Sequence, residues 1–277
     1  MYKSLCCAAW LSMMFFGFQD INAMNVGNSP TESDVTIGSK VLMFDCNTQQ
    51  EEIAHKNCAI ILHDVKVMPK ECFKCCEELH QLIFSWHSCV EKIDESAFQF
   101  SGIKELTIPA SVQHLKESCF ADCYDLISVV FEHGSRLTSI GSRAFELCSS
   151  LKSVEIPESV KILSESCFDR CYDLENVTFE KGSQLTRVEK SAFRCCWSIA
   201  EIVMPASVEF LGEKCFEFCG SLSKVTFARG SSLIKIEKDA FKGCNMIKTM
   251  QIPSNVDVYD KTARDITVKK KDSCILL

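Results

Sequence analysis

Eight phenylalanines divide this chain into nearly equal lengths. Phe73, Phe98, Phe120, Phe145, Phe168, Phe193, Phe216 and Phe241 are separated by 25, 22, 25, 23, 25, 23 and 25 residues. The alternation is itself periodic: Phe120, Phe168 and Phe216 stand 48 apart, as do Phe145, Phe193 and Phe241. A second marker keeps the same time. Val65, Val112, Val160, Val208 and Val256, each after a proline or its equivalent, are spaced 47, 48, 48 and 48. Two independent markers on one period, over roughly residues 59–258, define a tandem repeat of the solenoid type. A unit this short cannot bury its own Leu, Val, Ile and Phe. Stacking buries them between neighbours, and that requirement sets the fold.

One unit runs from Leu151 to Phe168. Leu151, Val154 and Ile156 end in a period of two, as a short strand with one buried face requires. Pro157 stops the strand, because proline has no N–H for a ladder. Val160 and Leu163 then point inward from the return segment. Ser142 to Cys148 reads as a single helical turn, with Ser142 placed to cap it. In alternate units the proline step is replaced by a longer one ending in Gly134, Gly182 or Gly230. Glycine there permits φ > 0 at a wider turn, which accounts for the longer interval.

The pattern strand–Pro–x–Ser–Val–x–x–Leu–x–x–x–Ala/Cys–Phe–x–x–Cys–x–x–Leu resembles the BspA-like, or treponemal-type, leucine-rich repeat. The resemblance implies an α/β fold class: a leucine-rich-repeat solenoid with a parallel β-sheet on one face and short helical turns and loops on the other. It also implies a cell-surface protein used for adhesion or protein binding, with no shared catalytic residues to carry over. The long Phe–x–x–Gly–Ser turn in every second unit departs from the short consensus.

The two ends differ from the middle. Residues 1–23 have Lys3, an apolar run from Leu5 to Phe18, and Ala23 at the end of a short polar stretch, the layout of a signal peptide. Residues 24–34 read as a linker and 35–64 as an N-terminal cap or degenerate repeat, with a strand near Lys40–Asp45. The leucine-rich repeats, eight Phe-anchored units, occupy 65–258. Residues 259–277 form a charged tail ending Lys269-Lys-Lys-Asp-Ser-Cys274-Ile-Leu-Leu277, where Cys274 has the setting of a geranylgeranyl-type prenylation box. The signal directs the chain to a secreted or cell-surface location, whereas prenylation would hold it to the cytoplasmic face of a membrane through the tail. The first is favoured, because it rests on a whole tripartite segment rather than four residues.

Cysteine is the compositional outlier, at 19 of 277 residues. Cys76, Cys123, Cys148, Cys171, Cys196, Cys219 and Cys244 all fall three residues after a Phe anchor, and only Ser101 breaks the series. Cys72, Cys119, Cys167 and Cys215 precede the anchor in alternate units. The expected role is a buried structural ladder of small apolar thiols together with the eight Phe. A thiol-based metal or redox protein is the remote alternative. Its best case is the group Cys72, Cys75, Cys76, His80, His87 and Cys89, whose spacing fits no finger or ribbon.

Nothing in the sequence supports catalysis. G-x-G-x-x-G, G-x-x-x-x-G-K-[ST], G-x-S-x-G and H-E-x-x-H are all missing, and the six histidines lie at or before His133. The chain is expected to be non-enzymatic, with no cofactor and no metal. A formal charge of −7 argues against sequence-independent nucleic-acid binding. What remains is surface. Lys104, Glu105 and Thr107, then Ile127 and Val130, Lys152 and Glu155, Glu175 and Thr178, Glu201 and Val203, Lys224 and Thr226, and Lys248 and Gln251 should face outward along the sheet. Such a face is the usual binding surface of a solenoid, for a protein or a surface glycan. Asn176-Val-Thr178 is a glycosylation sequon set in a strand.

Overall fold

The computed structural model describes residues 41–45, 53, 55–253, 256–259 and 267–271. The signal-like segment, the linker and Cys274 lie outside the described residues. Within them the chain is a succession of short parallel strands. Seven four-residue strands pair in order: Val41–Phe44, Cys58–Ile61, Gln81–Phe84, Glu105–Ile108, Ser128–Phe131, Ser153–Ile156 and Asn176–Phe179. The series continues as two pairs, Glu201–Met204 with Lys224–Phe227 and Thr249–Pro253 with Thr267–Lys271. Every pairing is parallel and in register from coil to coil, for example Glu155 beside Thr178. The strands Val41–Phe44 and Cys58–Ile61 extend the sheet upstream of the first Phe anchor. Thr267–Lys271 extends it past residue 258, although its lysine run gives no apolar alternation; backbone pairing to Thr249–Pro253 holds it.

A second parallel sheet was not expected. Nine two-residue strands, from Val67–Met68 through Lys92–Ile93, His114–Leu115, Ser139–Ile140, Ile162–Leu163, Arg187–Val188, Phe210–Leu211 and Lys235–Ile236 to Asp257–Val258, pair without interruption. Their second residues are the inward-pointing Leu163 and its equivalents, each buried except the half-buried last, Val258. The molecule is therefore a β-solenoid of about nine parallel coils. Among the described residues no segment is helical, and no helix is long and apolar enough to cross a membrane.

The absence of helix corrects the α/β class and the helical turn at Ser142–Cys148. The reason lies in the backbone. Residues two before and two after each Phe hold positive φ: Arg143 at 55° and Leu147 at 58° flank Phe145, Ser166 at 56° and Arg170 at 59° flank Phe168. Flipping every second residue points successive N–H groups in opposite senses. Those of Arg143, Phe145 and Leu147 reach the carbonyls of Glu165, Cys167 and Asp169 in the next coil. Those of Ala144, Glu146 and Cys148 turn back to Gly141, Arg143 and Phe145. A helix would send all six inward along its own axis and leave the next coil unpaired. Each left-handed residue costs on the order of 1 kcal/mol, offset by the hydrogen bonds between coils that it permits.

The steps between the sheets explain the alternation. Gly134, Gly182 and Gly230 have φ of 76°, 89° and 78°, as the wider turn requires. In the proline steps the serine of Pro–x–Ser–Val ties one coil to the one before. The hydroxyl of Ser159 donates within 2.9 Å of the Ser135 carbonyl and 2.7 Å of that of Leu137, and Ser207 is placed the same way on Ser183 and Leu185. Glu132 and Glu180 accept from the amides of Ala110 and Glu158 at 2.9 Å, closing the same step from the following coil.

The eight anchor rings form one stack through the core. Neighbouring centroids are 5.1–5.5 Å apart with interplanar angles of 2–8°, and Phe44 closes the N-terminal end at 5.1 Å. Near-parallel planes at these separations are offset, the arrangement that the ring quadrupole favours. Phe168 is fully buried with a ring on each side. Phe168→Ala is expected to cost about 3–5 kcal/mol, because the gap is bounded by coils that cannot close up without breaking their registers. Urea unfolding checks this; an unchanged midpoint would mean that the stack contributes nothing.

Candidate functional site

The four-residue strands alternate in burial, and the alternation builds the candidate surface. Leu106, Ile108, Val154, Ile156, Val177, Ile202 and Met204 point into the core. The structure places Lys104, Glu105, Thr107, Ile127, Val130, Lys152, Glu155, Glu175, Thr178, Glu201, Val203, Lys224, Thr226, Lys248 and Gln251 all on the solvent side. Parallel register aligns them in columns. Thr107 lies beside Val130, Glu155 beside Thr178 and Val203 beside Thr226, and these positions, with Gln251 at the equivalent place in its repeat, form a column that is mostly β-branched, hence flat and stiff. Two ion pairs cross between coils on or beside it: Lys152 to Asp173 at 2.8 Å and Lys224 to Glu201 at 3.0 Å. Ile127 and Val130 are exposed apolar groups of one coil, between the coil of Lys104 and Glu105 and that of Lys152 and Glu155. Asn176 and Thr178 of the sequon share this exposed side.

The thiols three residues past each Phe sit in the core, except Cys76, which is half-buried. They also act as donors. The Sγ of Cys148, Cys171, Cys196, Cys219 and Cys244 lies 2.9–3.2 Å from the carbonyl of the Phe anchor one coil earlier. That carbonyl accepts from the backbone amide of its own coil as well, as Phe145 does from Cys148. Cysteine at this place is thus a small apolar group that satisfies a second lone pair. Where the series breaks, Ser101 bonds the Cys123 sulfur at 3.3 Å. The turn there is one residue shorter, and Gly102 passes so close to Glu77 that a Cβ would stand 2.0 Å from its carbonyl oxygen. Desolvation dominates the acidity of these thiols. It pushes Cys72 up to about 12, Cys76 and Cys123 up to about 11, and Cys148, Cys171 and Cys196 well above the usual thiol range.

The six-residue Cys and His group is dispersed. Cys72 and Cys76 belong to the core turn, His80 enters a strand beside the Gly102 carbonyl, and Cys75 and Cys89 are exposed. Among the described residues no three His, Cys, Asp or Glu side chains could hold a metal ion. One feature went unread in the sequence: a charge stack one residue past the Phe anchors. The Asp169 carboxylate, almost fully buried, accepts two bonds from Arg194 at 2.8 and 3.1 Å, and Glu217 pairs with Lys242 at 3.2 Å. Aligning the repeats shows Asp, Arg, Glu and Lys in that order, so the signal was available.

The profile of the BspA type leucine rich repeat region matches this sequence in six copies, over residues 31–127 and 138–264. Among solved structures, a leucine-rich repeat protein from Bacteroides ovatus ATCC 8483 is similar at 26% identity and a TM-score of 0.65, covering 78% of this chain and 55% of that one. The pneumococcal vaccine antigen PcpA is similar at 21% identity and a TM-score of 0.49, covering 77% of this chain and 62% of that one. A leucine rich cell surface protein from Faecalibacterium prausnitzii A2-165 gives 21%, a TM-score of 0.38, and coverage of 80% and 83%. This chain therefore spans a little over half the length of the Bacteroides protein. No curated protein matches it.

The thiol column predicts alkaline lability. Buried thiols with raised pKa hold their protons in the folded state while unfolded ones release them. Their contribution is complete below the ordinary thiol value of 9.0 and is lost as pH rises through about 11 for Cys123. Melting temperature is expected to be level up to about pH 9 and to fall steeply by pH 11, whereas a flat profile would show that the thiols are not desolvated. In the native state at pH 8, exposed Cys75 and Cys89 should react with iodoacetamide while Cys148, Cys171 and Cys196 stay unmodified until urea is added.

Proposed function

The chain belongs to the BspA type leucine rich repeat family, and we propose that it works as a non-enzymatic binding scaffold at a cell surface. The observation that carries this reading is the sheet face: columns of exposed side chains held in fixed register on a rigid core, with β-branched and apolar groups among charges. Such a surface offers shape and spacing but no reactive group. The buried thiols are protonated and already bonded to carbonyls, so they supply neither nucleophile nor ligand. A protein or surface glycan would lie across several coils, contacting the flat positions from Thr107 to Thr226, Glu155 among them, with Glu175 and Lys248 at the margins. Placement at a cell surface follows what the repeat pattern implies for this family.

The test uses beads coated with the purified chain and surfaces coated with extracellular matrix. Glu155→Lys with Glu201→Lys reverses two exposed carboxylates on the face and is expected to reduce adhesion roughly tenfold, since exposed charge contacts are worth about 0.2–1 kcal/mol each and reversal turns each attraction into repulsion. Glu91→Lys with Glu209→Lys, at the entrances of two-residue strands, should leave adhesion unchanged. Equal losses in the two variants, or none in the first, would move the binding site away from the four-residue-strand sheet.

A further inference from the structure

One residue past the thiol ladder, the coils carry Tyr124, Ser149, Tyr172, Trp197, Gly220 and Asn245 in succession. Tyr172 and Trp197 stack, with centroids 4.4 Å apart and planes inclined by 27°. Consecutive coils are one strand spacing apart, ~4.8 Å, so these rings stack along the solenoid axis. One face of Trp197 is covered by Tyr172, and the other looks along the axis toward the coil of Gly220. A Cβ built on Gly220 would meet nothing within 4 Å, and the glycine is not in the left-handed region. Neither packing nor backbone conformation demands glycine there. Its effect is to leave a ring-sized step beside an indole that remains 53% exposed.

Two exposed apolar side chains belong to the coil of Gly220 and the one after it. Phe218, 46% exposed, comes from the coil of Gly220, and its ring lies over Gly243, where a Cβ would stand 2.5 Å from Cδ1. Met246, 56% exposed, comes from the next coil. Two carboxylates of these coils already have cationic partners: Glu217 has Lys242 at 3.2 Å and Glu201 has Lys224 at 3.0 Å.

We propose that this step is a socket for one uncharged aromatic side chain of a protein partner, which stacks on the open face of Trp197 above Gly220. The ring continues a stack the column has already begun, and Phe218 and Met246 close around its edge. A planar ring gains stacking energy on the indole and a sulfur contact from Met246 that an aliphatic group of equal area does not fully match. The socket lies on the turn edge of the coils, outside the sheet face, and stands or falls independently of that surface.

The test labels the full chain with 5-fluorotryptophan and assigns Trp10, Trp86 and Trp197 by Trp→Phe variants. The capped tripeptide Gly-Trp-Gly is titrated in, followed by ¹⁹F NMR. The Trp197 resonance is expected to shift saturably while that of Trp86, equally solvent-exposed in kind, does not. Gly-Leu-Gly should need roughly five- to tenfold higher concentration. Gly220→Phe fills the step with the chain's own ring and should abolish the shift, and Met246→Ala, an exposed truncation, should weaken it about threefold. The proposal is overturned if Trp197 shows no saturable shift, if Trp86 responds equally, if the leucine peptide binds as well, or if Gly220→Phe with an unchanged melting temperature still binds.

Discussion

Each amide of the anchor turn must find its acceptor either just behind it in the chain or in the coil that follows, and the molecule is organised by that division. Alternating right- and left-handed residues around Phe145 and its equivalents send every second N–H across to the next coil. The carbonyls are shared in the same spirit: that of Phe145 takes one donor from its own coil and one thiol from the next. Once these bonds set the spacing of coils, the Phe rings must stack, the strands must pair in register, and outward side chains must fall into columns. The sheet face is therefore a by-product of how the opposite side of each coil satisfies its backbone.

Much of this was legible in the sequence, because the repeat turns one-dimensional spacing directly into stacked position. The Phe period, the alternation of proline and glycine steps, the inward Leu163 and the outward Glu155 all follow from aligning the units. The helical turn at Ser142–Cys148 was misread because Ser, Ala and Leu in six residues suit a helix locally, while the bonds that decide the matter run to residues about 22 positions away. A signal did exist. The positions two before and two after the anchors, such as Ser166, Arg170, Lys214 and Phe218, hold no Val, Ile or Thr, the residues least tolerant of positive φ. The two-residue strands were harder. A pair such as Ile162–Leu163 is too short to show a period, and only its neighbours in adjacent coils make it a strand.

The surfaces divide in the same way. Outward positions on the sheet can be assigned from strand alternation alone. The step at Gly220 cannot, since it depends on a ring in one coil, an empty position in the next, and the exposed Phe218 and Met246 around them. Likewise the cysteine series announced burial, but its bonding to carbonyls appears only when neighbouring coils are set side by side.

The direction of the bonds between coils has a mechanical consequence. They run along the solenoid axis, so tension applied between the ends loads them one coil at a time rather than all together. The outermost coil, with a neighbour on one side only, gives way before any inner one. Each release frees a length of about 24 residues, on the order of 80 Å of extended chain. A tether built this way yields in steps, lengthening under load while the coils that remain keep their surface and its register intact.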